Sequence, residues 1–412
     1  MNDTEMLRII KDTYLYGYPI VGMYELLHAQ VMDANTKTSA LNEFAHTAEV
    51  ASPKTSFIPA PNNDTSYSRA WLDLTGAPVI IAVPDTDDRY YSIQLLNLFS
   101  ETIINVGRRT TGTQAAKFAI VGPNWDGELP NDAQIIRCDT PFALAFLRIL
   151  INGPQDIAAV REIQSKIVIQ APPAAGVNGL VPYKNATKAE FFETLHAVLS
   201  LTPVQKGEEV YLANCELCLH APMALLEQGC AEALADIEKG GTTFGEACNF
   251  WRIARKGIGN YGQDYLQRAV VWHKGALANQ PEESLYPSTF QDSTGALLDG
   301  TQCYTLTFAK GQLPPVSQFW SLTLYIFDNA FLYDNEIDRY SIGDRTNGLS
   351  YDEDGSLTIY LQNKAPQSAQ KKANWMPVPT ERFFIVLRLY GPSEAVVRGD
   401  WQPPAVQKSA DC

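Results

Sequence analysis

The sequence contains few histidines: five in 412 residues, at positions 28, 46, 196, 220 and 273. Because none follows His273, the last third of the chain cannot build a histidine metal site by itself, which argues against a cupin-type oxygenase. One cluster of metal-binding residue types occurs, at Cys215, Cys218 and His220, but the second ligand pair of a zinc site is missing. We interpret these cysteines as buried structural thiols and expect no metal.

The sequence also lacks Lys/Arg blocks, a Walker loop and a Gly-x-Ser-x-Gly elbow. The formal net charge is −14 and the pI is near 4.9. Nucleic acid and anionic membranes need clustered positive charge, so neither is expected as a partner. Nucleotide binding and the common serine-hydrolase fold are disfavoured as well, and we expect no cofactor.

Two further absences concern localisation. No apolar run approaches membrane-spanning length, and no basic segment followed by an apolar core opens the chain, so no secretory signal is predicted; a leader removed by processing stays open. The seven cysteines are an odd number and are scattered. This pattern is typical of reduced thiols, and we expect a cytoplasmic protein.

The composition that is present suits packed cores, with 45% hydrophobic and 10% aromatic residues. A chain of 412 residues exceeds what one core usually supports, so two or three domains are expected. Hydrophobic periodicity changes along the chain from helical to alternating, back to helical, and to alternating again. We predict an α+β multi-domain protein, with a helical domain and two antiparallel β-sandwich domains, the C-terminal one jelly-roll-like. The predicted divisions are 1–50, a helical segment packing with the helical domain 155–285, then 51–154 and 286–412 for the two sandwiches.

Local signals give more detail. Gly17 is predicted to allow a close approach to the first helix, and Pro19 to kink it. The runs 78–84 and 89–95 are predicted to form a hairpin. Thr187 begins a capping box. Much of 245–277 is predicted to be helical, with an interruption at Gly257, Gly259 and Gly262.

The stretch 61–74 is the most distinctive part of the sequence. It begins as a polar turn and continues as a strand on which Tyr67, Arg69 and Trp71 share one face. A polar loop at the edge of a sheet is a common place for a binding site. A well-capped turn before a core strand explains the same residues, and spacing alone favours that interpretation.

Several motifs, taken in order, resemble a known family. The N-terminal motifs are 16–19 (Tyr-Gly-Tyr-Pro), 61–68 (Pro-Asn-Asn-Asp-Thr-Ser-Tyr-Ser) and 89–92 (Arg-Tyr-Tyr-Ser). They resemble domain of unknown function 1254. The C-terminal third resembles its usual partner, domain of unknown function 1214, through Asp299-Gly300, 313–315, 319–325, 339–345, 354–357 and 374–377. The resemblance implies a helical domain joined to two β-sandwiches and a pocket where the domains meet, but no activity. Asn97 stands where we expect an acidic residue of the family.

We expect a metal-independent enzyme of the lyase, hydrolase or isomerase type that acts on a small organic molecule between the β domains. Asp64 or His46 would transfer the proton, and Tyr67 and Tyr18 would donate hydrogen bonds. The remaining candidates for the substrate-binding site are Arg69, Trp320, Arg339, Asn374 and Trp375. The alternative is a non-catalytic protein that binds a carbohydrate or a metabolite. Homo-oligomer formation is left open.

Overall fold

The computed structural model describes residues 1–47, 49–54, 60–174, 180, 183, 186–203 and 205–410. Eight α-helices lie in these ranges. They are α1 (Asp3–Leu27), α2 (Ile157–Lys166), α3 (Lys188–Leu201), α4 (Val210–Leu219), α5 (Met223–Thr242), α6 (Tyr265–Gly275), α7 (Ala369–Ala373) and α8 (Glu394–Arg398). A π-helical turn follows α1 at His28–Met32, and a 3-10 turn precedes α2 at Pro154–Asp156.

The N-terminal β region comprises two sheets that share one hydrophobic core. Its strands are β1 (Ala45–Thr47), β2 (Thr65–Asp73), β3 (Val79–Val83), β4 (Tyr91–Asn97), β5 (Thr102–Gly107), β6 (Ala116–Val121), β7 (Gln134–Arg137), β8 (Phe142–Leu150) and β9 (Val168–Gln170). One sheet has the order β1-β2-β8-β4-β5, and the other β7-β6-β3-β9. Ala70 and Leu72 of β2 lie in the shared core, whereas Trp71 points away from it, as the alternation predicts.

The C-terminal β region has a seven-stranded and a four-stranded sheet around a second core. Its strands are β10 (Glu246–Cys248), β11 (Trp251–Ile253), β12 (Ser284–Leu285), β13 (Ser288–Thr289), β14 (Cys303–Phe308), β15 (Val316–Ile326), β16 (Ser341–Gly343), β17 (Leu357–Gln362), β18 (Trp375–Pro377), β19 (Phe383–Pro392) and β20 (Gln407–Ser409). The larger sheet runs β10-β11-β13-β19-β15-β16 with β12 also on β19, and the smaller runs β18-β17-β14-β20.

The helical region is organised around α1, which packs against α3, α4, α5 and α6. The side chain of Asn2 caps α1 by accepting from the Glu5 N–H over 2.9 Å. The helix continues through Pro19 without ending there. Gly17 allows a close approach as predicted, but to a side chain: a Cβ at Gly17 would lie 2.4 Å from Leu195 Cδ2 of α3.

The α+β class is confirmed, with open antiparallel and mixed sheets, and the strand order does not identify a jelly roll. The predicted capping box at Thr187 is present. The hairpin prediction is wrong, because β3 and β4 lie in different sheets that face each other across the core. The helix predicted over 245–277 is wrong in its first half, where β10 and β11 form.

The elements near the predicted domain boundaries lie with neighbouring regions. In the segment 155–285, which was assigned to the helical domain, α2 and β9 pack with the N-terminal β region. Later in the same segment β10 and β11 join the C-terminal sheet. The segment 155–285 therefore contributes elements to both β regions, and its helices α3 to α6 pack with the N-terminal helix α1.

Among the residues that the structure describes, five cysteines are free thiols, and four of these are buried. Cys303 is disulfide-bonded, which corrects the expectation of a reduced thiol at this position. It lies on β14 opposite Ser409 of β20. Within the described ranges, no helix is long and apolar enough to cross a membrane.

Candidate functional site between the two β regions

The polar turn before β2 lies against one face of the C-terminal seven-stranded sheet. Alternation along β15 sends Trp320 into the core and turns Ser321 and Tyr325 towards the N-terminal β region. The Tyr325 hydroxyl donates to the Pro61 carbonyl over 2.8 Å, and Arg388 Nη2 of β19 donates to that hydroxyl over 2.5 Å. The main chain of the turn is thereby fixed to the C-terminal sheet.

Asn62 gives the turn its shape. Its Oδ1 accepts from the Asp64 N–H over 2.8 Å, which is a local side-chain turn of the kind expected for asparagine. Its Nδ2 donates to Thr65 Oγ1 over 2.9 Å and to the Tyr390 hydroxyl of β19 over 2.8 Å. The same side chain therefore closes the turn and joins it to the second β region.

Asp64 is buried, with 1% of its surface exposed. Its Oδ2 accepts from Ser321 Oγ over 2.5 Å, and its Oδ1 forms an ion pair with Nη2 of Arg345. Arg345 also donates to the Ile151 carbonyl over 2.9 Å, and its guanidinium lies 4.5 Å from the ring centroid of Phe319. Both oxygens of Asp64 are therefore engaged, and the carboxylate joins the turn before β2 to the C-terminal β region.

A second ion pair holds the segment that follows β8. Arg89 Nη1 and Nη2 donate to the two carboxylate oxygens of Asp156 over 2.5 and 2.8 Å. The N–H of Asn152 donates to the same carboxylate over 2.8 Å, and Arg89 also donates to the Leu150 carbonyl over 2.9 Å. Arg89 and Arg345 thus hold the segment 150–156 from two sides.

A patch of four side chains lies on the outer face of the N-terminal sheet, beside this interface. Tyr67 pairs with Arg148 across β2 and β8, and Arg69 pairs with Phe146, so all four share a face. The rings of Tyr67 and Phe146 stack at 5.3 Å with an interplanar angle of 4°. The guanidinium of Arg148 lies 4.4 Å from the centroid of Phe146. We call these four residues the Tyr67 patch.

Arg148 connects the Tyr67 patch to the segment 277–286. Its Nη1 donates to Gln94 Oε1 over 2.9 Å and to Asn279 Oδ1 over 3.1 Å, and its Nη2 donates to the Leu277 carbonyl over 3.0 Å. Asn279 Nδ2 donates to Ser284 Oγ over 3.0 Å, and Ser284 Oγ donates to the Tyr286 hydroxyl over 2.7 Å. A chain of neutral polar groups therefore runs from the patch to β12 and beyond.

Arg388 of the C-terminal region lies near enough to Tyr67 to interact with it electrostatically. Burial works against its charge, but the phenols of Tyr325, Tyr390 and Tyr67 and the carboxylate of Asp64 hold its pKa above the ordinary value. Burial raises the pKa of Tyr325 and of Tyr390, so both phenols stay protonated. The site therefore presents fixed positive charge and hydrogen-bond donors.

Tyr67 is the phenol of this group that remains available. Its side chain is only partly buried, and its hydroxyl makes no hydrogen bond to another residue that the structure describes. It lies close enough to Arg388, Tyr325 and Tyr390 to act on each electrostatically. A phenol beside a fixed guanidinium can donate a hydrogen bond or a proton to a bound molecule.

The sequence-predicted residues separate into two groups. Asp64, Tyr67 and Arg69 lie together at this interface. His46 does not: its Nδ1 lies 2.8 Å from Ser68 Oγ, on the face of β2 opposite Tyr67, and burial lowers its pKa. His46, the alternative to Asp64 for proton transfer, therefore does not share a face of the sheet with Tyr67.

None of the other predicted binding residues belongs to the Tyr67 patch. Tyr18 lies in the helical region, with its hydroxyl 3.2 Å from His273 Nδ1, and Trp320 lies in the C-terminal core. Arg339 Nη1 donates to the Ala373 carbonyl over 3.1 Å and to the Trp375 carbonyl over 2.6 Å. Asn374 Nδ2 donates to the Ser350 and Thr358 carbonyls, and Trp375 Nε1 to the Gln362 carbonyl. These last three residues support main chain within the C-terminal β region.

Two wide surface clefts lie away from this interface. One has a volume of about 680 Å³ and is lined by Tyr333, Glu336, Lys364 and Trp375 among others. The other has a volume of about 800 Å³ and lies beside Arg255 and Arg398. Both are open and of mixed charge. We place the candidate site at the interface, because the unengaged hydroxyl of Tyr67 and the fixed charge of Arg388 lie together there.

The structure adds site residues that sequence reasoning missed, chiefly Ser321, Arg345 and Arg388. The signal for Arg388 is a charged residue within the apolar strand 383–390. The sequence also contains a Gly-x-Gly-x-x-Gly pattern at 257–262, which the argument against nucleotide binding wrongly took to be absent. Its three glycines have positive φ of 65, 78 and 54° and precede α6, but the preceding strand β11 pairs antiparallel on both sides, unlike the βαβ unit that binds dinucleotides.

No group of three or more His, Cys, Asp or Glu side chains that could hold a metal ion occurs among the described residues. Cys215 and Cys218 are buried in the helical core, and Cys215 Sγ lies 3.2 Å from the Phe192 carbonyl. Burial raises the pKa of the Cys218 thiol to about 12. His220, at the end of α4, is exposed.

Comparison with known proteins gives two family matches. "Protein of unknown function (DUF1254)" matches residues 41–171, and "Protein of unknown function (DUF1214)" matches residues 283–394. The two matches contain the turn with Asp64, the Tyr67 patch, and Ser321, Arg345 and Arg388.

Solved structures of similar shape include the VPA0106 protein from Vibrio parahaemolyticus, with 24% identity and a TM-score of 0.78 over 98% of this chain and 100% of that chain. An uncharacterized protein from Burkholderia cenocepacia aligns at 13% identity and a TM-score of 0.46 over 99% of this chain and 94% of that chain. No curated protein matches the sequence. The likeness to the Vibrio protein shows a shared fold.

Proposed function

The chain belongs to the proteins that join a DUF1254 domain to a DUF1214 domain, and from this premise we propose that it is an enzyme acting on a small organic molecule where the two domains meet. The reaction is of the lyase, hydrolase or isomerase type, and Tyr67 supplies the proton or hydrogen bond. The observation that carries the proposal is the free, partly exposed hydroxyl of Tyr67 beside the buried guanidinium of Arg388.

The surrounding groups support specific roles. Arg388 and Arg148 present fixed positive charge, which stabilises negative charge that develops on a substrate. Tyr67 and Phe146 supply ring faces for an organic body. Asp64 acts as a positioning residue, because Arg345 and Ser321 occupy its oxygens. A pair of sandwiches as the frame is supported by the two sheets in each β region that share one core.

The experiment is an incubation of the purified protein with a metabolite extract, followed by mass spectrometry of what is consumed and formed. Tyr67→Phe removes only the hydroxyl, and we expect turnover to fall about 10²- to 10⁴-fold, the range typical of a lost general acid or base. Tyr351→Phe, at an exposed tyrosine, is the matched control and keeps full turnover. Full turnover in Tyr67→Phe contradicts the proposal.

A non-catalytic binding protein is the second candidate. It is favoured by the engagement of both Asp64 oxygens and by the position of His46 on the face of β2 opposite Tyr67. If the protein only binds its ligand, ultrafiltration after incubation with the extract retains a molecule together with the protein, and that molecule is chemically unchanged. The same assay therefore separates the two functions.

A further inference from the structure

Arg69 is a half-buried arginine without a partner. It lies on β2 in the Tyr67 patch, and its guanidinium forms no ion pair and no hydrogen bond to any residue in the described ranges. Burial lowers its pKa, as expected for a cation that is partly desolvated without a counter-charge. Half-buried charges in proteins are usually paired, so the unpaired guanidinium of Arg69 is suited to binding an anion.

The other two arginines around the patch also lack carboxylate partners. Arg148 donates only to the amide and carbonyl oxygens of Gln94, Asn279 and Leu277. Arg388 donates only to the hydroxyl of Tyr325 and to main-chain carbonyls of the turn.

Neighbouring arginines of the same interface behave differently. Arg89 pairs with Asp156, Arg109 with Glu283, and Arg345 with Asp64. The chain has 46 acidic against 32 basic residues, so carboxylates are abundant. That three arginines around the Tyr67 patch remain without one gives the site a local positive charge in an acidic protein.

Resting on the proposed function, we propose that the ligand of this site is a small organic monocarboxylate with an apolar body, and that Arg69 binds its carboxylate. The planar guanidinium matches a carboxylate with two parallel hydrogen bonds. The stacked rings of Tyr67 and Phe146 face the apolar body.

The charge of the ligand is limited by the end of α6. The Leu277 carbonyl, just beyond the C-terminal end of this helix, points at Arg148 in the patch. The C-terminal end of a helix carries partial negative charge, which disfavours a dianion such as a phosphate monoester relative to a monoanion.

The test uses benzoate, benzamide and phenyl phosphate as probes, at constant ionic strength. Thermal unfolding and calorimetric titration measure binding, since a ligand of the native state raises its unfolding midpoint. We expect benzoate to bind the wild type more tightly than benzamide or phenyl phosphate. Arg69→Gln weakens benzoate binding by about tenfold or more, as expected for loss of a charged hydrogen bond. Arg137→Gln, at an exposed arginine of β7, leaves the affinity for benzoate unchanged.

A structural role for Arg69 is excluded by a second readout. Because Arg69 contacts no partner, Arg69→Gln without ligand unfolds at or above the midpoint of the wild type, whereas loss of a structural contact lowers it. Arg69→Lys keeps the charge without the planar fork and binds benzoate with intermediate affinity.

Three results overturn the inference: equal or tighter binding of benzamide or phenyl phosphate, absence of benzoate binding to the wild type, or unchanged benzoate affinity in Arg69→Gln. Failure of the proposed function has a different signature. Full turnover in Tyr67→Phe removes the catalytic proposal and leaves an Arg69-dependent difference between benzoate and benzamide intact.

Discussion

Removing Arg345 should cost more stability than neutralising Asp64, although the two residues form one ion pair. In Arg345→Gln, the Asp64 carboxylate, 1% exposed, keeps only its hydrogen bond from Ser321. An uncompensated buried charge of this kind costs about 3–5 kcal/mol, and we expect about 3 kcal/mol because the Arg345 side chain is 24% exposed and lies near the solvent.

Asp64→Asn removes the charge but keeps the shape of the side chain. The Asn oxygen still accepts from Ser321, and the released Arg345 guanidinium can reach water, so the expected cost is about 1–2 kcal/mol. In the double variant no buried charge is orphaned. Its cost should equal that of Asp64→Asn alone, which makes the coupling energy about 3 kcal/mol.

The assay is urea unfolding followed by tryptophan fluorescence and circular dichroism in parallel, because the chain has more than one core and its transitions need not coincide. Arg161→Gln, an exposed arginine of α2, is the control and should change stability by less than about 0.5 kcal/mol. The reasoning is refuted if the two single variants add in the double variant, or if Arg345→Gln is no less stable than Asp64→Asn.

Two further predictions concern the same interface. Burial works to raise the pKa of Asp156, but Arg89 and the Asn152 N–H hold this pKa below the usual value. The ion pair therefore stabilises the fold at pH values above the ordinary Asp pKa of about 3.9. This stabilisation is lost as the pH falls through the lower pKa of the folded state. Arg89→Met should therefore lower the free energy of unfolding by about 2 kcal/mol at pH 6, seen as a lower urea midpoint. The difference in stability between this variant and the wild type should become smaller below about pH 4. A difference that grows in acid contradicts this prediction. Gly343→Ala should destabilise by about 1–3 kcal/mol, because the new Cβ would lie 2.1 Å from the Trp320 carbonyl oxygen on the adjacent strand; an unchanged thermal midpoint would show that the strands can separate freely.

Much of the C-terminal β region could be predicted because its strands alternate. The runs 304–308, 319–325, 356–361 and 382–390 coincide with β14, β15, β17 and β19 within a few residues. Alternation identifies which face is buried, but not which strand is the neighbour. The predicted hairpin failed for this reason: β3 and β4 each bury an apolar face in the same core, from opposite sheets.

The site was predictable in its N-terminal half only. Tyr67 and Arg69 follow from the alternation of β2, whose face is visible in the sequence. Ser321 and Arg388 were overlooked because they lie inside apolar strands, and their partners in the first domain are distant in the sequence: Asp64 for Ser321, and the Ala60 and Pro61 carbonyls for Arg388. Trp320 was chosen for its aromatic ring, yet it is out of phase with Ser321 and so enters the core.

The segment 277–286 has a consequence for the inheritance of the two domains. It leaves α6, gives two acceptors to Arg148 of the first domain, and then enters the second domain as β12. A recombination event that carried one domain alone into a new chain would leave Arg148 without these acceptors and Asp64 without Arg345. A hybrid of two parental proteins should therefore fold well only when both domains and the segment 277–286 that joins them come from the same parent.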